Sequence, residues 1–237
     1  MFLNKPLSDY RPRSKGVRRL LAYLALLLGS LLLKITVKGR HNLPKKGPYV
    51  LVCNHFSVID PAVVIYAHRN PISFLAASDH VIEWYNLWAV WLYGFIPTDR
   101  VRLAPSTIKA ARRALCKGEV LGIFPEGTST ANELRKAKPG AAYLSAIETV
   151  KILPFSVLGL GDAWAQWLHG LRPRVTVRIG KPFGPYTLPN DRAQREEALA
   201  RVGKEIMCRI AALLPEECHG VFRREQVILQ YQQENER

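Results

Sequence analysis

Between residues 35 and 214 the chain alternates between two hydrophobic periods. Short apolar runs at Ile35–Lys38, Tyr49–Cys53, Pro71–Ala76, Phe95–Pro97, Val120–Phe124 and Lys151–Val157 read as strands. Arg174–Ile179 alternates strictly, with Val175, Val177 and Ile179 on one face and Thr176 and Arg178 on the other. Helical spacing falls between these runs, at Pro61–His68, Asp79–Tyr93, Ser106–Leu115 and Ala141–Thr149. A last helix, capped by Asn190 or Asp191, is expected to run to about Leu214 with Leu199, Val202, Ile206 and Ile210 on one face. Trp84, Trp88 and Trp91 form a stripe at i, i+4, i+7 that reads as core packing, with acyl-chain or membrane contact as the alternative. The polar tail Glu225–Arg237 is expected to fray. Strands alternating with helices predict an α/β fold: a single domain with a central, mostly parallel sheet flanked by helices.

The first 34 residues follow a different pattern. Leu20–Leu33 is an uncharged, leucine-rich run of fourteen residues, and leucine favours helix. As a helix it would be about 21 Å long, short of the roughly 30 Å needed to span a bilayer core. Three readings remain: a membrane-associating helix, a buried core helix, or the hydrophobic region of a signal peptide. Lys34-Ile-Thr-Val-Lys-Gly-Arg40 follows, not a small-residue cleavage site, and basic residues flank both ends, which favours the membrane-associating helix. The expected layout is therefore a basic, hydrophobic membrane-associating segment over 1–34, an α/β domain over 35–220 and a polar tail over 221–237.

Charge sharpens this picture. The 237 residues carry a formal net charge of +15, and residues 1–50 hold eleven Lys and Arg against the single acid Asp9. A patch of this kind, wrapped around an apolar run, fits an anionic membrane surface, on the cytoplasmic leaflet and held monotopically or peripherally. Without a nucleic-acid-binding motif it argues against a nucleic-acid partner. The 48% apolar content excludes extended disorder, and no apolar run of eighteen residues marks a polytopic membrane protein. Four widely spaced cysteines without a CxxC pair argue against a zinc cluster or disulfide framework.

Three segments can carry chemistry. In Asn54-His55-Phe-Ser-Val-Ile-Asp60-Pro61 a histidine leaves a strand and an aspartate follows at a helix start. A loop of that length can fold back so that the carboxylate meets Nδ1–H, leaving Nε2 as a general base. Phe124-Pro-Glu126-Gly127-Thr128-Ser129-Thr130 follows another buried strand, and its Pro and Gly force a turn that offers hydroxyls and N–H groups to a ligand. Arg135, Lys136 and Lys138 come next. Gly94-Phe-Ile-Pro-Thr-Asp-Arg100 ends in a guanidinium suited to a phosphate.

In this order the three segments resemble the blocks of the 1-acylglycerol-3-phosphate acyltransferase family. Asn54–Asp60 looks like its NHx4D block, Gly94–Arg100 is similar to its Gly-x-(Ile/Phe)-x-x-x-Arg block, and Phe124–Thr128 matches its Phe-Pro-Glu-Gly-Thr block in full. Ile152-Leu-Pro154-Phe looks like a weaker fourth block. The likeness covers roughly residues 35–185. One position departs: the family commonly carries Arg after Phe-Pro-Glu-Gly-Thr, and here it is Ser129.

The resemblance implies acyl transfer from acyl-CoA or acyl carrier protein to the hydroxyl of 1-acylglycerol 3-phosphate or a related lipid acceptor, giving phosphatidic acid in the first case. His55 would be the base and Asp60 its orienting partner. Arg100, Glu126, Gly127 and Thr128 would bind the acceptor, and Lys138 would contact an acceptor or donor phosphate. A thiolate is a good leaving group, so neither metal nor cofactor is expected, and direct transfer needs no covalent enzyme intermediate. Ser129 puts the usual acceptor in question. The rival of a different class is a non-enzymatic basic membrane-binding protein, which would leave His55 and Asp60 without a role.

Overall fold

A computed structural model describes residues 12–77, 93–99, 103–129 and 132–236. A seven-stranded sheet forms its centre: β1 (Lys34–Lys38), β2 (Tyr49–Cys53), β3 (Ile72–Ala77), β4 (Ile96–Thr98), β5 (Val120–Ile123), β6 (Ile152–Leu158) and β7 (Arg174–Ile179). Their spatial order is β1-β7-β6-β2-β5-β3-β4. All neighbours are parallel except β6 and β7. The helices are α1 (Lys15–Leu32), α2 (Asp60–His68), α3 (Pro105–Cys116), α4 (Gly140–Ile147), α5 (Ala163–Leu168), α6 (Arg192–Ala211) and α7 (Val227–Glu236).

The sheet is covered on both faces, so its central strands read as continuous apolar runs. Every residue of β2 is buried: Val50 and Val52 enter one core, with α3, α4, α6 and α7, and Tyr49, Leu51 and Cys53 enter the other, with α1, α2 and α5. β7, by contrast, buries only Val175, Val177 and Ile179, as its alternation predicts.

Strand direction decides where the site lies. β2 to β6 run one way, so their C-terminal ends share one edge of the sheet. β1 and β7 run the other way, so both begin on that same edge. The C-terminus of α1, which leads into β1, therefore also reaches it.

The apolar run in the first 34 residues forms α1, and it is not a buried core helix. Its inward seam is narrow. Ala22 is buried, and at Gly29 an added Cβ would come within 2.7 Å of the Tyr66 ring of α2. Leu20, Leu27 and Leu31 on the outer face are each more than 60% exposed. Among the described residues, no helix is long and apolar enough to cross a membrane.

Arg18 corrects the reading of the basic patch. Its side chain is buried, donating to Ser73 Oγ at 2.7 Å and to Glu119 Oε2 at 2.9 Å, so it pins α1 to the sheet and does not face an external anion. The tail is also corrected. The segment expected to fray forms α7, because Ile228 enters the core and Arg209 of α6 both covers the Tyr231 ring at 4.0 Å and bonds to Glu234 at 3.0 Å. Such a polar helix is held by tertiary packing, which its own composition does not announce. The six-residue α5 is too short to show a period, and the sequence does not reveal it. The tryptophan stripe at 84, 88 and 91 lies outside the described residues.

Candidate active site

β2 ends at Cys53, and the next side chain, Asn54, stands in for one more strand residue. Its Nδ2 donates to the Val157 carbonyl and its Oδ1 accepts from the Val157 N–H, both at 2.9 Å. The chain then leaves the sheet, and His55 emerges at the C-terminal edge, where open α/β sheets gather their sites. The loop folds back on the first turn of α2. Asp60 Oδ2 lies 3.2 Å from His55 Nδ1 and accepts the Phe56 and Ser57 N–H groups at 2.8 and 2.7 Å. One carboxylate oxygen thus orders both the loop and the imidazole. Its other oxygen, Oδ1, is buried without a hydrogen-bond partner.

The electrostatics follow from this burial. Removal from water pushes the Asp60 carboxyl above the ordinary range, against His55 and the two backbone N–H groups, which pull it down. The adjacent Cys53 is fully enclosed, and burial, reinforced by the Asp60 and Glu126 carboxylates, raises its thiol well above the ordinary value. Cys53 is therefore held as a thiol and is unsuited to nucleophilic work. His55 keeps 19% of its side-chain surface accessible beside the fully covered Asp60, which suits a base that must meet a substrate.

The second segment builds the wall against which His55 rests. The Phe124 ring stacks on the imidazole with centroids 4.3 Å apart, and Phe74 stacks behind Phe124 at 5.9 Å. Gly122 of β5 makes room for Phe74, since an added Cβ would come within 2.5 Å of that ring. The sequence gives no sign of this stacking platform beyond placing Phe124 at a strand end.

Glu126 is buried, with Oε2 facing the His55 N–H at 3.4 Å and Oε1 facing the Arg135 N–H at 3.5 Å. It ties together the two segments that the sequence could treat only separately. Gly127 has φ +75°, a conformation that favours glycine, and closes the turn with its N–H on the Phe124 carbonyl at 3.1 Å. Lys138 N–H donates to the Pro125 carbonyl at 2.8 Å, and its side chain crosses Gly127 so closely that an added Cβ would lie 3.0 Å from Lys138 Cδ and Cε. Thr128 is half-buried beside the turn, and Ser129 is exposed. His55, Asp60, Glu126, Gly127 and Thr128 thus lie at one edge of the sheet, with Lys138 across the turn. β4 ends at Thr98 on that edge, and Arg100 lies outside the described residues.

Comparison with known proteins places the chain in a family. Residues 34–158, more than half of the chain, match the Acyltransferase family model, and the chain belongs to that family. It is 30% identical over 158 residues to a 1-acyl-sn-glycerol-3-phosphate acyltransferase of Chlamydomonas reinhardtii, covering 64% of this chain and 47% of that protein. A protein of the same name from Borreliella burgdorferi is 30% identical over 129 residues, covering 53% and 51% respectively, and one from Bacillus subtilis is 29% identical over 153, covering 63% and 73%. The chain spans about half the length of the first two relatives. The fold is similar to that of the 1-acyl-sn-glycerophosphate (LPA) acyltransferase PlsC from Thermotoga maritima, with a TM-score of 0.55 at 20% identity, covering 81% of this chain and 78% of that one.

Proposed function

We propose that this chain transfers a fatty acyl group from an acyl thioester, carried by CoA or acyl carrier protein, to the free hydroxyl of 1-acylglycerol 3-phosphate, giving phosphatidic acid. The observation that carries this reading is the His55–Asp60 pair at 3.2 Å, standing at the strand edge beside the Phe124–Thr128 turn. With Nδ1–H directed at the carboxylate, Nε2 is the nitrogen that accepts the acceptor hydroxyl proton as the oxygen attacks the thioester carbonyl. The new C–O bond forms, the tetrahedral intermediate collapses, the C–S bond breaks and the thiolate leaves. Asp60 stabilises the imidazolium in between, and the proton passes on to the sulfur or to solvent. Arg100, Gly127, Thr128 and Lys138 position the acceptor head and its phosphate, while Glu126 holds the turn against the His55 main chain.

Ser129 favours a second acceptor reading. An exposed serine supplies no cation to a phosphomonoester, so a related acceptor (another lysolipid, glycerol 3-phosphate or an aminolipid) fits the same base and turn. A screen of these acceptors with radiolabelled acyl-CoA and acyl carrier protein donors, read by lipid chromatography, separates the two. Phosphatidate formed from lysophosphatidate and lost in His55→Ala supports the first reading. Label appearing only on another acceptor replaces it with the second.

The setting we propose is the cytoplasmic leaflet of a membrane, held by α1. The inward side of α1 is already spent on the protein, through buried Arg18 and Ala22 and the close approach of Gly29 to α2, while its outer leucine face is exposed, the arrangement of an interfacial helix whose core contact is already made. The sheet edge that carries His55 is the one α1 leads to, so a lipid acceptor can reach the base without leaving the bilayer surface.

A further inference from the structure

We infer that α5 and the loop after it form a second bilayer-contacting element, continuous with α1, that docks on an anionic phospholipid surface. The inference rests on the membrane reading of α1 proposed above. Of the fourteen large apolar side chains exposed among the described residues, eight lie on α1 and three are Trp164, Leu168 and Leu171. Such residues scattered singly would need no explanation, but these belong to one surface. The contacts that join them are specific. Trp167 Nε1 donates to the Leu32 carbonyl at 3.0 Å, and Arg172 Nη2 donates to the carbonyls of Ser30 and, at 2.8 Å, Leu33. Trp164 packs edge-on against Trp167 with centroids 5.1 Å apart, and is itself 61% exposed.

Those bonds have a consequence at a membrane. The last carbonyls of a helix lack intrahelical partners, and leaving them bare costs most where water is absent. Trp167 and Arg172 take up the Ser30, Leu32 and Leu33 carbonyls from within the protein, so that end can lie at headgroup depth with less reliance on water. An indole is the side chain best suited to that level, with an apolar body and a polar edge.

Charge identifies the occupant. No acid occurs between Asp9 and Asp60, or between Asp162 and Asp191, while fourteen Lys and Arg fall in those two stretches. All but one unit of the net charge of +15 therefore lies in them. The structure brings the two stretches together, pairing β1 with β7 and joining α1 to α5. Exposed Arg13, Lys15 and Arg19 stand at one end of α1 and exposed Lys34, Arg172 and Arg174 at the other, against Asp162, Glu133 and Glu217 near α5, and an apolar strip with this excess of cations matches an anionic bilayer. A two-point contact also fixes the tilt of the protein, turning the sheet edge that carries His55 toward the lipid.

The test uses the full chain with Cys116→Ser, since Cys53, Cys208 and Cys218 are buried. A single cysteine at Leu168→Cys or at Leu27→Cys is labelled with an environment-sensitive fluorophore and mixed with phosphatidylglycerol–phosphatidylcholine vesicles carrying nitroxide-labelled lipid. The expected result is quenching and a blue shift of both probes. Trp164→Ser with Leu168→Ser should also weaken vesicle partition at least about tenfold with an unchanged melting temperature. A Leu27 probe quenched by lipid while the Leu168 probe stays open to aqueous iodide overturns the α5 contact and leaves the α1 reading intact. Neither probe quenched by lipid overturns both. Protection of the Leu168 probe without vesicles, with a doubled mass in light scattering, also overturns the inference, because a second copy is then the occupant.

Discussion

Asn54 and Val157 are bonded twice, side chain to main chain, at 2.9 Å each. Through this pair β2 stays attached to β6 one residue past the last backbone pairing, Cys53 with Phe155, and the chain is aimed before it reaches His55. Asn54 is fully buried, so Asn54→Ala would leave the Val157 N–H and carbonyl without those partners. We expect a stability loss of about 2–3 kcal/mol and a fall in kcat at unchanged KM, the pattern of a misplaced base. An Asn54→Ala protein as active as the parent per folded molecule would remove Asn54 from the positioning of His55.

His55→Ala should lower turnover by about 10²–10⁴-fold, the usual contribution of a general base. The fold should survive, because the side chain is partly exposed and its neighbours Phe124 and Phe74 still stack on each other. Steady-state rates with a matched thermal melt check both halves. A variant keeping more than about a tenth of kcat would assign the base elsewhere.

Asp60→Asn should separate activity from stability. Burial raises the Asp60 carboxyl above its ordinary value of 3.8, so the folded state favours the protonated form. The stabilisation is fully present below the unfolded value and is lost as pH rises through the raised folded one, so at neutral pH the ionised side chain is carried at a cost. Asparagine mimics the neutral form. The variant should therefore melt at or above the parental temperature at pH 7 and gain nothing near pH 3.5, while losing most of its activity. A marked drop in melting temperature at pH 7 would contradict this.

Arg18 and Glu119 should behave in the opposite sense. Burial alone would raise Glu119, but the Ser73 hydroxyl, Arg18 and Lys15 bring it below its ordinary 4.5. The contribution is present above the unfolded value and is lost as pH falls through the depressed folded one. Arg18→Met, which leaves a mostly covered carboxylate without its guanidinium, should cost about 3 kcal/mol and steepen the loss of helix α1 contacts. Arg18→Met with Glu119→Gln should cost less than Arg18→Met alone. Single-variant losses that simply add up to the loss of the double variant, in a double-mutant cycle by urea unfolding, would show that the two do not interact.

Ser129→Arg tests the acceptor. If the natural acceptor carries a phosphomonoester, the added cation beside the Gly127 turn should lower KM for lysophosphatidate at nearly constant kcat, the mark of uniform binding. If the acceptor lacks that phosphate, its KM should stay the same or rise. A parent that already prefers lysophosphatidate and gains nothing from the change would place the phosphate away from residue 129.

The alternation of periods, the strand end at Cys53, the spacing of His55 and Asp60 and the turn at Gly127 were legible in the chain because each is a local property, set by side-chain pattern or by backbone freedom over a few residues. What joins them is non-local. The stacking of His55 on Phe124 and the bond from the His55 N–H to Glu126 unite segments about seventy residues apart, and only the placement of β5 beside β2 creates them. The same holds at the N-terminus. Composition announces an apolar run with basic flanks, but which side of it is spent on the protein depends on Ala22 and Gly29 meeting α2 and on Arg18 reaching Glu119. Helix α7 and the α5 cap on α1 carry almost no periodic signal, since a few apolar or aromatic contacts suffice once a surface exists to receive them. Local pattern determines elements and their polarity; the long-range pairing of the sheet decides which of their faces meet and so where the chemistry and the exposed leucines lie.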